Sequence, residues 1–308
     1  MLTEGRVSIV VTTHNRRIPV LNTLVSLCRL PGRWPIIVID NGSTDGTSAA
    51  VAERFPSVML IRARRNLGAA ARNIGVAYVH TPYIAFCDDD TRWEMGALER
   101  AVATLDAAPD VAVLNACVHI GPSRKLSPAC SIMAQSPLSH GRMPGPQLLD
   151  FMAGACIMRT RAFYDVGGYW PPFFFGGEEA LMALDMTERG WRVVYADDIV
   201  SRRFPCGVTD ARLRERLRIR NEIWMAWMRR PLRSAWRRTR AQLGKARLSG
   251  MFLHTLADVA LGLPRALRQR RVVSPSVERM CALLDAASGD RAPSFSPVIP
   301  SSQNHRSV

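Results

Sequence analysis

Unbroken apolar runs that stop abruptly at polar clusters constrain this chain more than any other feature. Val7–Val11 runs into Thr12-Thr13-His14-Asn15, Ile36–Ile39 into Asp40-Asn41-Gly42, and Tyr83–Cys87 into Asp88-Asp89-Asp90. Runs this short, rich in Val and Ile and without polar alternation, suit strands buried on both faces. Val58–Arg62 reads as a further strand, and Val20–Leu30, Thr47–Phe55 and Gly68–His80 as the helices between. The alternation predicts an α/β fold: a mostly parallel central sheet with helices on both faces. In open sheets of this class ligands bind beyond the carboxyl ends of the strands. The polar clusters fall there.

Past residue 90 the pattern predicts a helix over Gly96–Ala107, a strand over Val111–Cys117 and a Pro/Ser/Gly-rich mobile loop over Ile120–Pro146. A strand follows at Phe151–Met158, a helix at Glu178–Arg189 and a strand at Trp191–Tyr195. From Asp210 the chain turns helical and basic, and from Ala292 it is rich in Pro and Ser and expected to be disordered. The 308 residues thus divide into a catalytic unit over 1–205, a basic helical region over 206–290 and a tail over 291–308.

The net charge of +15 is concentrated. Arg202 to Arg271 holds 19 Lys/Arg against four acids, so the remainder is neutral. Such a segment on a neutral body expects an anionic partner. Seven scattered cysteines without a CxxC pair suggest neither a zinc site nor a disulfide framework, and reduced thiols are the expectation. No signal-like start and no apolar run of about 20 residues is present. The expected location is cytoplasmic, peripheral on the inner face of the cytoplasmic membrane.

Three adjacent carboxylates, Asp88-Asp89-Asp90, repel one another and are tolerable only in solvent or with a cation. At the ligand edge of a sheet they suit a divalent ion such as Mg²⁺ bridging carboxylate to phosphate. Asp40 follows a strand at the same edge, where a carboxylate can accept the N3–H of uracil or thymine. Thr12 and His14 close the neighbouring strand and complete a candidate base pocket. The alternative for Asp40 is a turn residue beside Asn41-Gly42.

Taken in order, VSIVVTTHNR, VIDNGSTDGT, NLGAAARNIG and YIAFCDDD resemble inverting glycosyltransferases of family 2 with the GT-A fold. MAGACIMRTRAFYDVGGY resembles that family's acceptor-side segment, and FFFGGEEALMALDMTERGWRVVY the segment with its catalytic base. The resemblance covers roughly residues 6–230. It implies donor-nucleotide contacts from Thr12, His14, Asp40, Arg72, Asp88 and Asp89, and a metal, Mg²⁺ or Mn²⁺, on Asp90 and Asp88. It also implies a general base in the pair Glu178-Glu179, with Glu179 in the usual position. One departure stands out. Where the family often carries a metal-completing His, this chain has Ile199-Val200-Ser201-Arg202-Arg203, which leaves the metal to two carboxylates or gives part of its charge to arginine.

The implied activity is transfer of one sugar, with inversion, from a UDP- or dTDP-linked donor to a glycan or lipid-linked acceptor. Two alternatives stand beside it: a non-catalytic nucleotide-sugar or membrane-binding module, and a nucleotidyltransferase, which would favour a Gly-rich loop where THNRR stands. Arg212, Arg214, Arg216, Arg218 and Arg220, then Trp224 and Trp227, then the apolar Met251–Leu267 with its basic end, suit an anionic membrane surface through 206–271. The other reading is an arginine-rich helix packed on the catalytic unit. No nucleic-acid-binding motif is visible, and no nucleic acid is expected.

Overall fold

A computed structural model describes residues 5–138, 144–205 and 210–287. The elements run β1 (Val7–Thr13), α1 (Arg17–Leu27), β2 (Ile36–Asp40), α2 (Thr47–Arg54), β3 (Met59–Arg62), α3 (Ala71–Val76), β4 (Tyr83–Asp88), β5 (Thr91–Trp93), α4 (Ala97–Ala107) and β6 (Val111–Ile120). There follow β7 (Lys125–Leu126), α5 (Pro128–Ala134), β8 (Gln147–Leu148), β9 (Ala155–Arg159), α6 (Thr160–Asp165), α7 (Glu178–Glu188) and β10 (Arg192–Arg203). The helices α8 (Ala211–Arg229), α9 (Leu232–Leu248), α10 (Phe252–Arg268) and α11 (Pro275–Ala287) close the described chain.

One sheet, ordered β3-β2-β1-β4-β9-β6-β10-β5, runs through the molecule, with β7 on β6 and β8 on β10. It is mixed α/β and mostly parallel, as the alternation predicts. β9 departs from the parallel set, lying antiparallel between β4 and β6. The strands β1, β2 and β4 are buried almost throughout, which explains their lack of polar alternation. Register brings the polar ends together: Thr12 lies opposite Asp88 on one side and Ile39 on the other, and Thr13 opposite Asp40.

Several boundaries differ from expectation. Phe151–Gly154 is not strand: the Met152 N–H bonds the Asn115 side chain at 2.6 Å, which holds the chain off the ladder until Ala155. Trp191–Tyr195 is only the start of a 12-residue β10, whose pairing shifts register between Ala196 and Val200. The exposed Asp197-Asp198 pair that resembles a turn is the bulge. The stretch expected as a loop over 120–146 holds β7 and α5 in its described part; residues 139–143, Cys206 and the tail beyond 287 lie outside the described residues. The six described cysteines are unpaired.

The basic helices pack directly on α7 and the loop before it. Phe173, Leu181, Ile219, Ile223 and Trp224 form one buried cluster, and the Phe173 and Trp224 rings stack at 6.4 Å. Gly262 allows α10 this close: a Cβ there would meet the Trp224 ring at 1.9 Å.

Candidate functional site

The carboxyl ends of β1, β2 and β4 are tied together before any ligand is considered. Asn15, with φ of 52°, takes a bond from the Thr44 N–H on its side-chain oxygen at 2.7 Å, while its own N–H donates to Ser43 Oγ. His14 Nδ1 lies 2.9 Å from the Asn41 carbonyl. Thr12 Oγ1 is buried and has no partner, so it is free to bond a ligand at this edge. Asp40 differs from the expectation of a base-facing carboxylate. It is 0 % exposed, one oxygen accepts the Ser43 N–H at 2.9 Å and the other the Ser48 hydroxyl. As placed it braces the turn into α2, and contact with a base requires Ser48 to turn away.

The three consecutive aspartates point three ways. Asp88 pairs with Arg72 at 2.6 Å and keeps 34 % of its side chain exposed. Gly154 makes room for it, since a Cβ there would meet Asp88 Oδ2 at 2.2 Å. Asp89 turns inward, accepting from Thr13 Oγ1 at 2.9 Å and facing Arg16 at 3.3 Å. Burial pushes its carboxyl up to about 7, opposed by Arg16 and reinforced by Asp90 and Asp88. Asp90, with only 2 % of its side chain exposed, sits between Arg16 at 3.2 Å and Arg203 at 3.3 Å. Arg203, from the stretch where the resembling family often carries a metal-completing His, therefore occupies the carboxylate, while Arg202 turns away to Glu94 at 2.7 Å.

As placed, Asp90 does not fit a divalent ion, whereas Asp88 keeps one oxygen outside its pair with Arg72. Both oxygens of Asp90 face guanidinium groups, which a cation would have to displace against like-charge repulsion. Among the described residues no group of three or more His, Cys, Asp or Glu side chains converges as metal ligands. What the edge offers an anion is arginine: Arg16 and Arg203 at Asp90, and Arg214 of α8, which feels Arg203, Arg16, Asp88 and Asp90 and lies over the Phe175 ring at 4.4 Å.

The acid pair reaches the same place from across the sheet. Phe174 adopts a φ of 61°, and Gly176 and Gly177 have φ of 86° and 87°, so the chain turns sharply into α7. Glu178 and Glu179 occupy its first turn. A helix N-terminus favours the ionised form, yet burial dominates and raises both carboxyls. For Glu179 repulsion from Glu178 and Asp150 adds to it, and for Glu178 backbone N–H groups and Arg72 oppose it. Glu178 Oε2 is buried without a partner. Arg72 links the two halves. Burial works against its charge, but Asp88, Tyr169, Glu179 and Glu178 together raise its pKa, and its guanidinium lies over the Tyr169 ring at 5.6 Å.

Four further side chains contribute without a motif that marks them. Asn221 of α8, fully buried, aims its amide nitrogen at the carbonyls of Phe173, Phe175 and Gly176, at 2.9, 3.0 and 2.6 Å, and so clamps the loop before Glu178. Arg220 donates to the Phe173 carbonyl from beside it. Asp150 faces Glu178, and its carboxyl is pushed up to about 8, chiefly by burial. Arg16 reaches two of the three aspartates. The only local hint was the adjacency of Arg220 and Asn221 at mid-helix. Of the aromatics flanking the acids, Tyr169 and Phe173 are core and Phe174 is exposed. A cavity of about 460 Å³ opens elsewhere, beside Cys117, His119 and Tyr195, and includes none of these residues.

Comparison with known proteins agrees with the α/β sheet. The family model described as "Glycosyl transferase family 2" matches residues 8–167. An N-acetylglucosaminyl-diphospho-decaprenol L-rhamnosyltransferase of Mycobacterium tuberculosis is 26 % identical over 201 residues, covering 52 % of this chain and 63 % of that protein. The chain thus spans less than two thirds of that relative. Among solved structures, mannosyltransferase PcManGT of Pyrobaculum calidifontis, in complex with GDP-Man and Mn²⁺, superposes with a TM-score of 0.55 at 20 % identity, over 92 % of this chain and 75 % of its own. S. aureus TarS 1-349 in complex with UDP-GlcNAc does so with a TM-score of 0.55 at 14 % identity, over 85 % and 90 %. These superpositions establish a GT-A-like fold.

Proposed function

Because the chain belongs to glycosyl transferase family 2, we propose that it moves one sugar, with inversion, from a nucleotide-diphosphate donor to a hydroxyl of a glycan or lipid-linked acceptor. The observation that carries the reading is the convergence of two acidic sets through one arginine: Arg72 pairs with Asp88 and feels Glu178 and Glu179. The donor side and the base side of a displacement then face each other across the site.

In this reading Thr12 and His14 take the nucleoside base, with Asp40 setting the turn beside them, and Asp88 and Asp89 border the ribose. A UDP- or dTDP-linked donor keeps its place as the first to test. Glu179 removes the acceptor hydroxyl proton as that oxygen attacks the anomeric carbon from the face opposite the diphosphate. The carbon–oxygen bond to the diphosphate breaks and the proton stays on Glu179. A carboxyl with a raised pKa is the stronger base once ionised. The released diphosphate is stabilised by fixed cations, and the cations at this edge are Arg16, Arg203 and Arg214. The solved mannosyltransferase was determined with Mn²⁺. For this chain the arginine-filled carboxylates favour guanidinium over a metal in that role.

The test is Glu179→Gln. The variant should bind the donor nucleotide as the parent does, measured calorimetrically, and lose transfer to a polyprenyl-diphosphate-sugar acceptor by about 100-fold or more. Turnover near the parent's would remove Glu179 as the base.

A further inference from the structure

Helices α9 and α10 form a hairpin joined at Ser249–Met251, and both lean on α8. On the outward side of α9, Arg233, Arg237, Arg240 and Arg247 follow at helical spacing and are exposed. Trp236 and Leu248 lie beside them, 56 % and 91 % exposed. On α10 an apolar stripe faces outward, bordered by the exposed His254, Arg265 and Arg268. Leu253, Ala257, Ala260, Pro264 and Leu267 recur at the 3.6-residue period, all exposed, with Leu256 and Leu261 at the borders. The inward face of α10 packs on α8: Thr255, Val259 and Ala266 are buried, Asp258 pairs with Arg216 at 3.1 Å, and the Trp224 indole N–H donates to the Val259 carbonyl at 3.0 Å. An exposed apolar stripe running the length of a helix is normally covered by a partner. Here the outward face has no cover among the described residues.

We propose that this hairpin is a docking surface for an anionic lipid bilayer. The leucines of α10 and the hairpin tip, Leu248 and Leu253, enter the headgroup boundary, and the arginines of α9 meet the lipid phosphates. The distribution of charge selects this occupant. Inward arginines are neutralised: Arg216 by Asp258, Arg218 by Glu215 and Glu222, Arg229 by Asp185, Arg230 by Glu278. Arg233, Arg240, Arg247, Arg265 and Arg268, all exposed, have no ion-pair partner among the described residues. The uncompensated charge therefore borders the uncovered leucines, the combination that phosphate headgroups above acyl chains satisfy. A second copy of the chain would set arginine against arginine. The segment beyond residue 287 carries one acid, Asp290, against Arg291 and Arg306, and cannot neutralise the face. The same geometry removes α8 from the membrane surface expected over 206–271, because Trp224 is buried against Phe173 and the α8 arginines are largely tied to the body.

The experiment is co-sedimentation of the full chain with vesicles of phosphatidylcholine alone and of phosphatidylcholine mixed with phosphatidylglycerol. Binding to the mixed vesicles only, weakening with salt, is expected. Each arginine near an anionic surface contributes about fivefold in partition, so R240E/R247E should lower it about 25-fold or more. L253S/L261S should lower it about tenfold or more while leaving the melting temperature unchanged, because both side chains are exposed. Equal partition to both vesicle types, or none, would overturn the proposal. So would light scattering that shows a dimer dissolved by L253S/L261S in protein that ignores vesicles, which would assign the face to self-association. Glu179→Gln should bind vesicles as the parent does, so this result stands or falls independently of the transferase reading.

Discussion

Replacing Asn221 by Ala tests how the acid-bearing loop is held. The loop from Phe173 to Gly177 contains a non-glycine residue with positive φ and two positive-φ glycines, a conformation that local preference alone does not maintain. One amide nitrogen from α8 serves three of its carbonyls. Its two hydrogens are lost in Asn221→Ala, and the carbonyls face a buried site that water does not readily enter. A buried acceptor left without a partner costs about 1–3 kcal/mol. Arg220 still reaches the Phe173 carbonyl, which leaves two strongly affected acceptors and a loss of about 2–4 kcal/mol. At about 2–4 °C per kcal/mol for a chain somewhat smaller than this one, the melting temperature should fall by about 5–10 °C. Calorimetry measures it. Transfer should fall further than stability does, because Glu178 and Glu179 begin at the end of this loop, while donor-nucleotide affinity should change little. A variant melting within about 1 °C of the parent, with unchanged turnover, would refute the clamp.

The remaining predictions concern charge at the site. Asp150 titrates at about 8 in the fold against an ordinary value near 4. The stability it contributes is complete below that ordinary value and is lost as pH rises through about 8. Asp150→Asn should therefore gain stability over the parent between pH 5 and pH 9, on the order of 4 kcal/mol, read by denaturant melts at those two pH values; a pH-independent difference would refute the assignment. Gly154→Ala places a methyl against the Asp88 carboxylate and should break its pair with Arg72. Donor affinity should drop about tenfold or more, and unchanged calorimetric binding would show that Asp88 takes no part. In Arg203→Ala, Asp90 loses one guanidinium, and added Mn²⁺ should raise nucleotide affinity in the variant more than in the parent; an equal response would show that Arg203 does not stand in for the ion.

The strands and their polar ends were legible because each is a local signal: a buried β-branched run, then turn chemistry. The acid pair is marked in the sequence by the resemblance of its segment alone, because Gly176-Gly177 ahead of it suit an ordinary helix start as well. What Asp90 touches was not legible. Its partners Arg16 and Arg203 lie 74 and 113 residues away, and nothing near the triplet announces them. Asn221 was hidden for the same reason, 45 residues and more from the carbonyls it holds. For Asp40 the sequence leaves a base contact and a turn residue side by side, and only the fold shows Ser43 and Ser48 holding both its oxygens. The arginines of α8 looked like a charged surface because composition counts charge without its partners.

A nucleotide-diphosphate site whose cations are arginines is the centre of the proposed function. The most direct measurement is the melting temperature with UDP, dTDP and GDP, each in EDTA and in Mn²⁺. A ligand that binds only the folded state must raise it. The account predicts a selective rise with UDP or dTDP that persists in EDTA and is lost in Arg203→Ala in EDTA. No rise with any nucleotide would contradict the donor site, and a rise seen only with Mn²⁺ would contradict the arginine reading of Asp90.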